Sequence, residues 1–201
     1  MPIELTLFPV DRVLYPGGLM TVQVIEPRDL SMVSDCSRNE KPFFMVSLID
    51  NAEYTDSTLF NEIGTNEIGT LAYIIDFDMP STGILEISCR GRERASLIDY
   101  RTRANGLIIA HVEQFPAVKK LKLPRKYQVL QDVLKSYTER SGMERYREEL
   151  EEDWDNPDWL GCRLSEILPI DRQQHYELLI MQPLERLFHI KKLLKNKKAN
   201  N

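Results

Sequence analysis

The feature that most constrains this chain is a change of hydrophobic period near its middle. Up to about residue 116 apolar side chains recur every second residue; from about residue 123 they recur at helical spacing. A period of two lines one face of a strand, and a period of 3.6 lines one face of a helix. A chain that switches from the first to the second is a β-rich part followed by an α-rich part. The expected class is α+β: a β-barrel with one inserted helix, then a C-terminal helical bundle. The expected division is 1–116 for the barrel and 117–201 for the helical part, which ends in a basic tail.

In the first part Ile3, Leu5 and Leu7 alternate with Glu4 and Thr6, and Met20, Val22 and Val24 alternate with Thr21 and Gln23. Residues 42–49 and 71–77 are compact apolar runs, read as buried strands. Leu85, Ile87 and Cys89 share a face opposite Glu86, Ser88 and Arg90. Gly91 then interrupts, and glycine inside a strand marks a bulge or a bend. Residues 107–115 complete the set. Pro27 suits a first helical turn, where its missing N–H costs nothing, and Leu30, Val33 and Ser37 would share one side of that helix. Strands in this number close well into a barrel, because closure removes exposed edges.

In the second part Tyr127, Leu130, Val133, Leu134 and Tyr137 recur at helical spacing. Ser141 and Glu144 fit a capping box, Asn156-Pro157 an N-cap with proline after it, and Asp171 with Gln174 a second box. Leu184, Leu187, Phe188 and Leu194 are expected to form a last amphipathic stripe. Trp154 and Trp159 read as packing anchors. Lys119, Lys120 and Lys122 read as a solvated connector. Residues 144–158 carry eight acids, and residues 186–201 carry Arg186 and five lysines with no acid. Both are read first as solvated surfaces, with an acidic partner or RNA as the alternative for the tail.

Composition narrows function. With 42% hydrophobic and 28% charged residues, the 201-residue chain is neither disordered nor a disulfide scaffold. The net charge of −5 disfavours a nucleic-acid binder. No apolar run reaches the roughly 18 residues a membrane span needs, and Met1-Pro2-Ile3-Glu4 has no secretory pattern. Cys36, Cys89 and Cys162 are odd in number and widely spaced, which fits free thiols in the cytoplasm. A perfect tandem pentapeptide, Asn61-Glu62-Ile63-Gly64-Thr65 then Asn66-Glu67-Ile68-Gly69-Thr70, reads as a local duplication lengthening a loop before a strand.

No phosphate-binding glycine loop, H-E-x-x-H or G-x-S-x-G is present. His111, His175 and His189 have no second ligand at metal spacing, so no metal or cofactor is expected. Cys89 shares its strand face with Leu85 and Ile87 and reads as an inert buried thiol, although Arg90, Arg92 and Arg94 lie beside it. A hydrolase with a cryptic serine or cysteine is the least favoured reading.

The order of short motifs carries more. Leu7-Phe8-Pro9, Leu14-Tyr15-Pro16-Gly17 and Ile25-Glu26-Pro27-Arg28 are followed by Ile68-Gly69-Thr70, by 83–94 with Gly91 and Arg94, by Leu168-Pro169, Gln174, Leu178 and Leu179, and by Glu185-Arg186-Leu187. This set resembles the N-terminal domain of Lon proteases over about residues 3–195. Ala95 stands where that family has an aromatic residue.

The resemblance implies a PUA-like β-barrel followed by a helical bundle that recognises unfolded or client polypeptides. It implies no ATPase or peptidase activity in this chain; a separate protease or ATPase and a second copy of the chain are the further partners to look for. The expected peptide contacts are Arg28, Asp29 and Met32 on a partly exposed helix face, with Phe8 and Tyr15, in a groove between barrel and helices. Pro9, Pro16, Gly17, Glu26, Pro27, Gly69, Gly91 and Arg94 are expected to be structural, with Glu26 and Arg28 paired. The alternatives are an RNA-binding PUA-like module using Arg90, Arg92, Arg94, Arg101 and Arg103, or a small-ligand binder.

Overall fold

The computed structural model describes residues 1–48, 65–81 and 83–199. Its contacts divide the chain into two units, Met1–Pro116 and Ala117–Asn201. The first unit holds strands β1 (Ile3–Val10), β2 (Leu19–Val24), β3 (Phe43–Ser47), β4 (Ile68–Asp78), β5 (Leu85–Thr102) and β6 (Ile108–Gln114), with helix α1 (Pro27–Asn39) between β2 and β3. The sheet order is β2-β5-β4-β3-β1-β6, and β5 also pairs with β6. Five strands therefore close into a barrel-like ring, and β2 is attached outside it. The length of β5 makes this possible: residues 85–90 pair with β2 and residues 95–102 with β6. Register breaks beside Gly91 and between Leu97 and Asp99 let it turn from one partner to the other.

The strands contribute side chains to two buried clusters. Phe8, Val10, Phe43, Met45, Ile87, Cys89 and Ile109 join one core cluster with Met32, Val33 and Cys36 of α1. Leu7, Phe44, Val46, Leu71, Ile108, Ala110 and Val112 form the other. Adjacent residues of β3 thus enter opposite clusters, and every residue of Phe43–Ser47 is buried. Burial on two faces explains why this stretch reads as a continuous apolar run. The buried side of α1 is Arg28, Met32, Val33 and Cys36; of the expected Leu30, Val33 and Ser37 only Val33 lies on it. Residues 28, 32 and 36 follow one another at one-turn spacing, which leaves Leu30 and Ser37 in solvent.

The turn before β2 is clamped onto the sheet. The Thr70 hydroxyl donates to the Leu14 carbonyl at 2.6 Å, and the Gly17 N–H to the Gly91 carbonyl at 2.7 Å. The Gly91 N–H returns a bond to the Gly18 carbonyl at 2.9 Å. Gly17 sits at φ 72°, which favours glycine. A Cβ on Gly91 would strike the Tyr15 carbonyl, and one on Gly69 would strike the Met45 carbonyl. The second pentapeptide copy enters β4 at Ile68, and before it the Asn66 amide donates to the Ser47 hydroxyl at 2.9 Å. Residues 61–64 of the first copy lie outside the described residues.

The second unit holds a single 3-10 turn at Arg125–Tyr127 and helices α2 (Val129–Thr138), α3 (Glu144–Glu148), α4 (Pro157–Ile167), α5 (Arg172–Ile180) and α6 (Pro183–Ala199). Asn156 caps α4 through a bond from the Asp158 N–H, and Asp171 with Gln174 forms a full capping box on α5. The box expected at Ser141 is absent. Met143 occupies the N-cap of α3, and Gly142 at φ 88° directs the chain into a turn before it. Trp154 and Trp159 meet edge to face at 5.0 Å. The expected stripe on α6 is corrected as well. Leu187 and Ile190 are buried, whereas Leu184 and Phe188 face solvent.

Fully buried Arg186 binds these helices together. Its Nε donates to the Leu178 carbonyl at 2.6 Å, Nη1 to the Asp158 carboxylate at 2.8 Å, and Nη2 to the Leu179 and Met181 carbonyls at 3.2 and 3.0 Å. It therefore satisfies carbonyls that the end of α5 leaves without helical donors. Gly161 makes room for it, since a Cβ there would lie 3.0 Å from Arg186 Cδ.

Two substitutions test these joints by urea unfolding. Gly91→Ala is expected to cost about 1–3 kcal/mol through overpacking. Arg186→Leu is expected to cost about 3–5 kcal/mol, because Asp158 and three carbonyls lose a buried partner. Loss of less than about 0.5 kcal/mol in either variant, the range of an ordinary surface change, contradicts the assigned role.

Candidate functional site

The expected contact residues divide sharply. Met32 is 1% exposed and Arg28 8% exposed, so the expected partial exposure of that helix face does not hold for them. Met32 fills the core cluster beneath α1, and Phe8 packs edge to face on Phe43 at 5.8 Å. Tyr15 is buried in the clamped turn. Arg28 pairs with Glu26 at 2.7 Å and reaches the Gly106 carbonyl at 3.4 Å, which ties the start of α1 to the loop before β6. Pro27 occupies the first turn of α1. Buried Arg94 lies 5.7 Å from the Phe115 ring centre, on the strand where Ala95 is also buried. Asp29 alone of the three helix residues lines an open surface.

That surface is a groove of about 650 Å³ between the end of β1, the outer side of β2 and the first turn of α1. Phe8, Val10, Val22 and Leu48 give it an apolar floor, and Pro9 and Ile25 lie along it. Asp11, Arg12, Gln23, Glu26, Asp29 and Glu86 supply its polar groups. Arg12 donates to the Thr21 carbonyl at 3.0 Å, and Gln23 to Glu86 at 3.1 Å. Burial pushes the Asp29 carboxyl up to about 6; the Glu26 carboxylate adds to this and the Arg28 guanidinium opposes it. The groove's members come from separated stretches of sequence, so no local motif announces it.

A second open surface was hidden in the run at 71–77. Its first half is buried as expected, but Ile75 and Phe77 are exposed, as is Met79 just beyond it, the last two at 48% and 67%. β3 pairs with β4 only at Thr70–Ala72, so among the described residues the edge of β4 beyond residue 72 faces no strand. Phe77 is the register partner of Ile87, which partners Val22. Cross-strand partners share a face, so an apolar row runs from the core out to solvent at Phe77. The alternation of Phe77 and Met79 with Asp76 and Asp78 was the available signal.

Other expected groups do not assemble. Arg90 and Arg94 are buried, and Arg101 and Arg103 reach Glu4 at 2.7 and 3.6 Å, so the five arginines form no open basic patch. His111 contacts Asp99 and Glu4. Cys36, Cys89 and Cys162 are buried, and burial pushes their thiols up to about 11, 12 and 11. Such thiols are poor nucleophiles at neutral pH.

The family model described as the ATP-dependent protease La (LON) substrate-binding domain matches residues 4–196. The structure of a Lon N-terminal domain protein from Xanthomonas campestris is similar at 29% identity and a TM-score of 0.72, covering 96% of this chain and 98% of that one. The N-terminal domain of Mycobacterium avium complex Lon protease shares the fold at 15% identity and a TM-score of 0.64, covering 94% and 96%. No curated relative matches the chain.

The raised Asp29 carboxyl has a measurable consequence. A carboxyl bound to its proton more tightly in the folded state contributes stability that is complete below about pH 4 and lost as pH rises through about 6. Asp29→Asn is therefore expected to match the parent protein near pH 3.5. At pH 8 it should exceed it by about 1 kcal/mol, a figure discounted for the solvent screening of a half-exposed group. Urea unfolding at both pH values checks this, and a variant that gains nothing at pH 8 contradicts it.

Proposed function

The chain belongs to the family of the ATP-dependent protease La (LON) substrate-binding domain, and on that premise we propose that it recognises unfolded polypeptide and carries out no covalent chemistry. The observation that carries this reading is the edge of β4. Exposed Ile75 and Phe77 lie on a strand whose outer side beyond residue 72 pairs with no other strand among the described residues, and exposed Met79 follows it. Unfolded chains present unsatisfied main-chain groups and apolar side chains, and an open strand edge with apolar neighbours meets both needs. Main-chain pairing reads no side chain, so it suits clients of many sequences.

Asp76 and Asp78 flank Phe77 and are exposed. Charges beside an open edge oppose pairing between two copies while leaving it open to another chain. The buried thiols, each pushed up by burial, argue against cysteine nucleophiles. In this reading a separate protease or ATPase in the cytoplasm consumes what the domain holds, and the ring of strands is a PUA-like barrel used as a scaffold. RNA binding is disfavoured by the burial of Arg90 and Arg94.

Phe77→Ser tests the reading. Phe77 is half exposed, so the variant is expected to lose about 1 kcal/mol and stay folded. Affinity for a reduced, carboxymethylated polypeptide, measured by fluorescence anisotropy, is expected to fall about tenfold, as for loss of an aromatic anchor. Unchanged affinity in the folded variant counts against β4 as the contact.

A further inference from the structure

We propose that the groove beside β2 takes a polypeptide segment bearing lysine or arginine, laid along the outer side of β2 with its cationic groups over the carboxylates of the rim. This rests on the polypeptide-recognition reading and names the class of segment that a second surface of the same unit prefers. Among the described residues β2 pairs with β5 alone, so its other edge faces the groove without a strand. Arg12 already holds the Thr21 carbonyl on that side. An incoming segment therefore meets β2 beyond Thr21, beside Gln23 and exposed Ile25.

Charge and shape select the occupant. Four carboxylates, from Asp11, Glu26, Asp29 and Glu86, line the groove, against Arg12 within it and Arg28 at its end. The excess of carboxylates attracts cations and repels acidic segments. The apolar floor of Phe8, Val10, Val22 and Leu48 suits the methylene stems of basic side chains, whose charged heads then reach the rim.

Asp29 gives the preference a pH signature. It shares the groove with Glu26 of the helix start, Asp11 and Arg12 after β1, and Glu86 of β5, and Arg28 precedes it on α1. A cation docked beside its carboxyl favours the ionised form. Binding then releases a proton near pH 6, and affinity for basic segments rises between pH 5 and pH 7.5.

The test uses the full chain and two labelled twelve-residue unstructured peptides with the same apolar residues, one alternating them with lysine and the other with glutamate. Anisotropy titrations at pH 7.5 are expected to show the lysine peptide binding at least about fivefold tighter, with that advantage shrinking about threefold at pH 5. Asp29→Asn is expected to abolish the pH effect, and Glu86→Gln to lower the lysine preference without touching the pH effect. Phe77→Ser, which lies outside the groove, should leave the preference for the lysine peptide in place. Equal affinity for the two peptides, or a pH effect that survives Asp29→Asn, overturns the charge preference while polypeptide recognition stands. Binding of neither peptide overturns both.

Discussion

The first unit depends on one close approach of backbone to backbone. Gly91 exchanges main-chain bonds with Gly17 and Gly18, while the Thr70 hydroxyl holds the Leu14 carbonyl. Neighbouring strands lie about 4.8 Å apart, and no Cβ fits where the Tyr15 carbonyl crosses Gly91. That approach fixes where β2 starts and brings it onto β5. It lies beside the register break that frees the second half of β5 for β6. Ring closure and the attachment of β2 are thus two results of one constraint. The second unit solves a comparable problem with charge: buried Arg186 satisfies carbonyls at the end of α5 and pairs with Asp158 of α4.

Much of this was legible from residue types. The change of period separated strand from helix, and the Leu14-Tyr15-Pro16-Gly17, Ile68-Gly69-Thr70 and Gly91 motifs proved to be parts of one clamp. Asn156 and Asp171 announced their helices because capping is local. What failed was decided by tertiary contact. Leu30 is more apolar than Arg28, yet Arg28 is the buried one, its charge paired with Glu26 and its Nη1 3.4 Å from the Gly106 carbonyl. Ser141 matched a box whose geometry Gly142 prevents. The run at 71–77 looked uniform, but β3 is too short to cover its second half. Of the expected contacts only Asp29 and the edge of Phe8 reach the groove, because a groove is made by elements that the sequence does not place side by side.

The two open surfaces share a logic. Each is a strand edge next to apolar side chains, and each carries carboxylates: Asp76 and Asp78 at β4, and Glu86, Glu26 and Asp29 at β2. Open apolar edges are aggregation hazards unless charge guards them. Acidic guards turn the hazard into selectivity, since two copies repel while uncharged or basic segments do not. A rigid core beneath them lets the edges stay open without loss of fold.

The most direct test is amide hydrogen exchange along β4, with and without a reduced, carboxymethylated polypeptide. Main-chain pairing at this edge requires the amides of residues 73–78 that point away from β5 to exchange more slowly when the polypeptide is present. Protection confined to those amides is the predicted result. Unchanged exchange along β4 in the presence of bound polypeptide would contradict it.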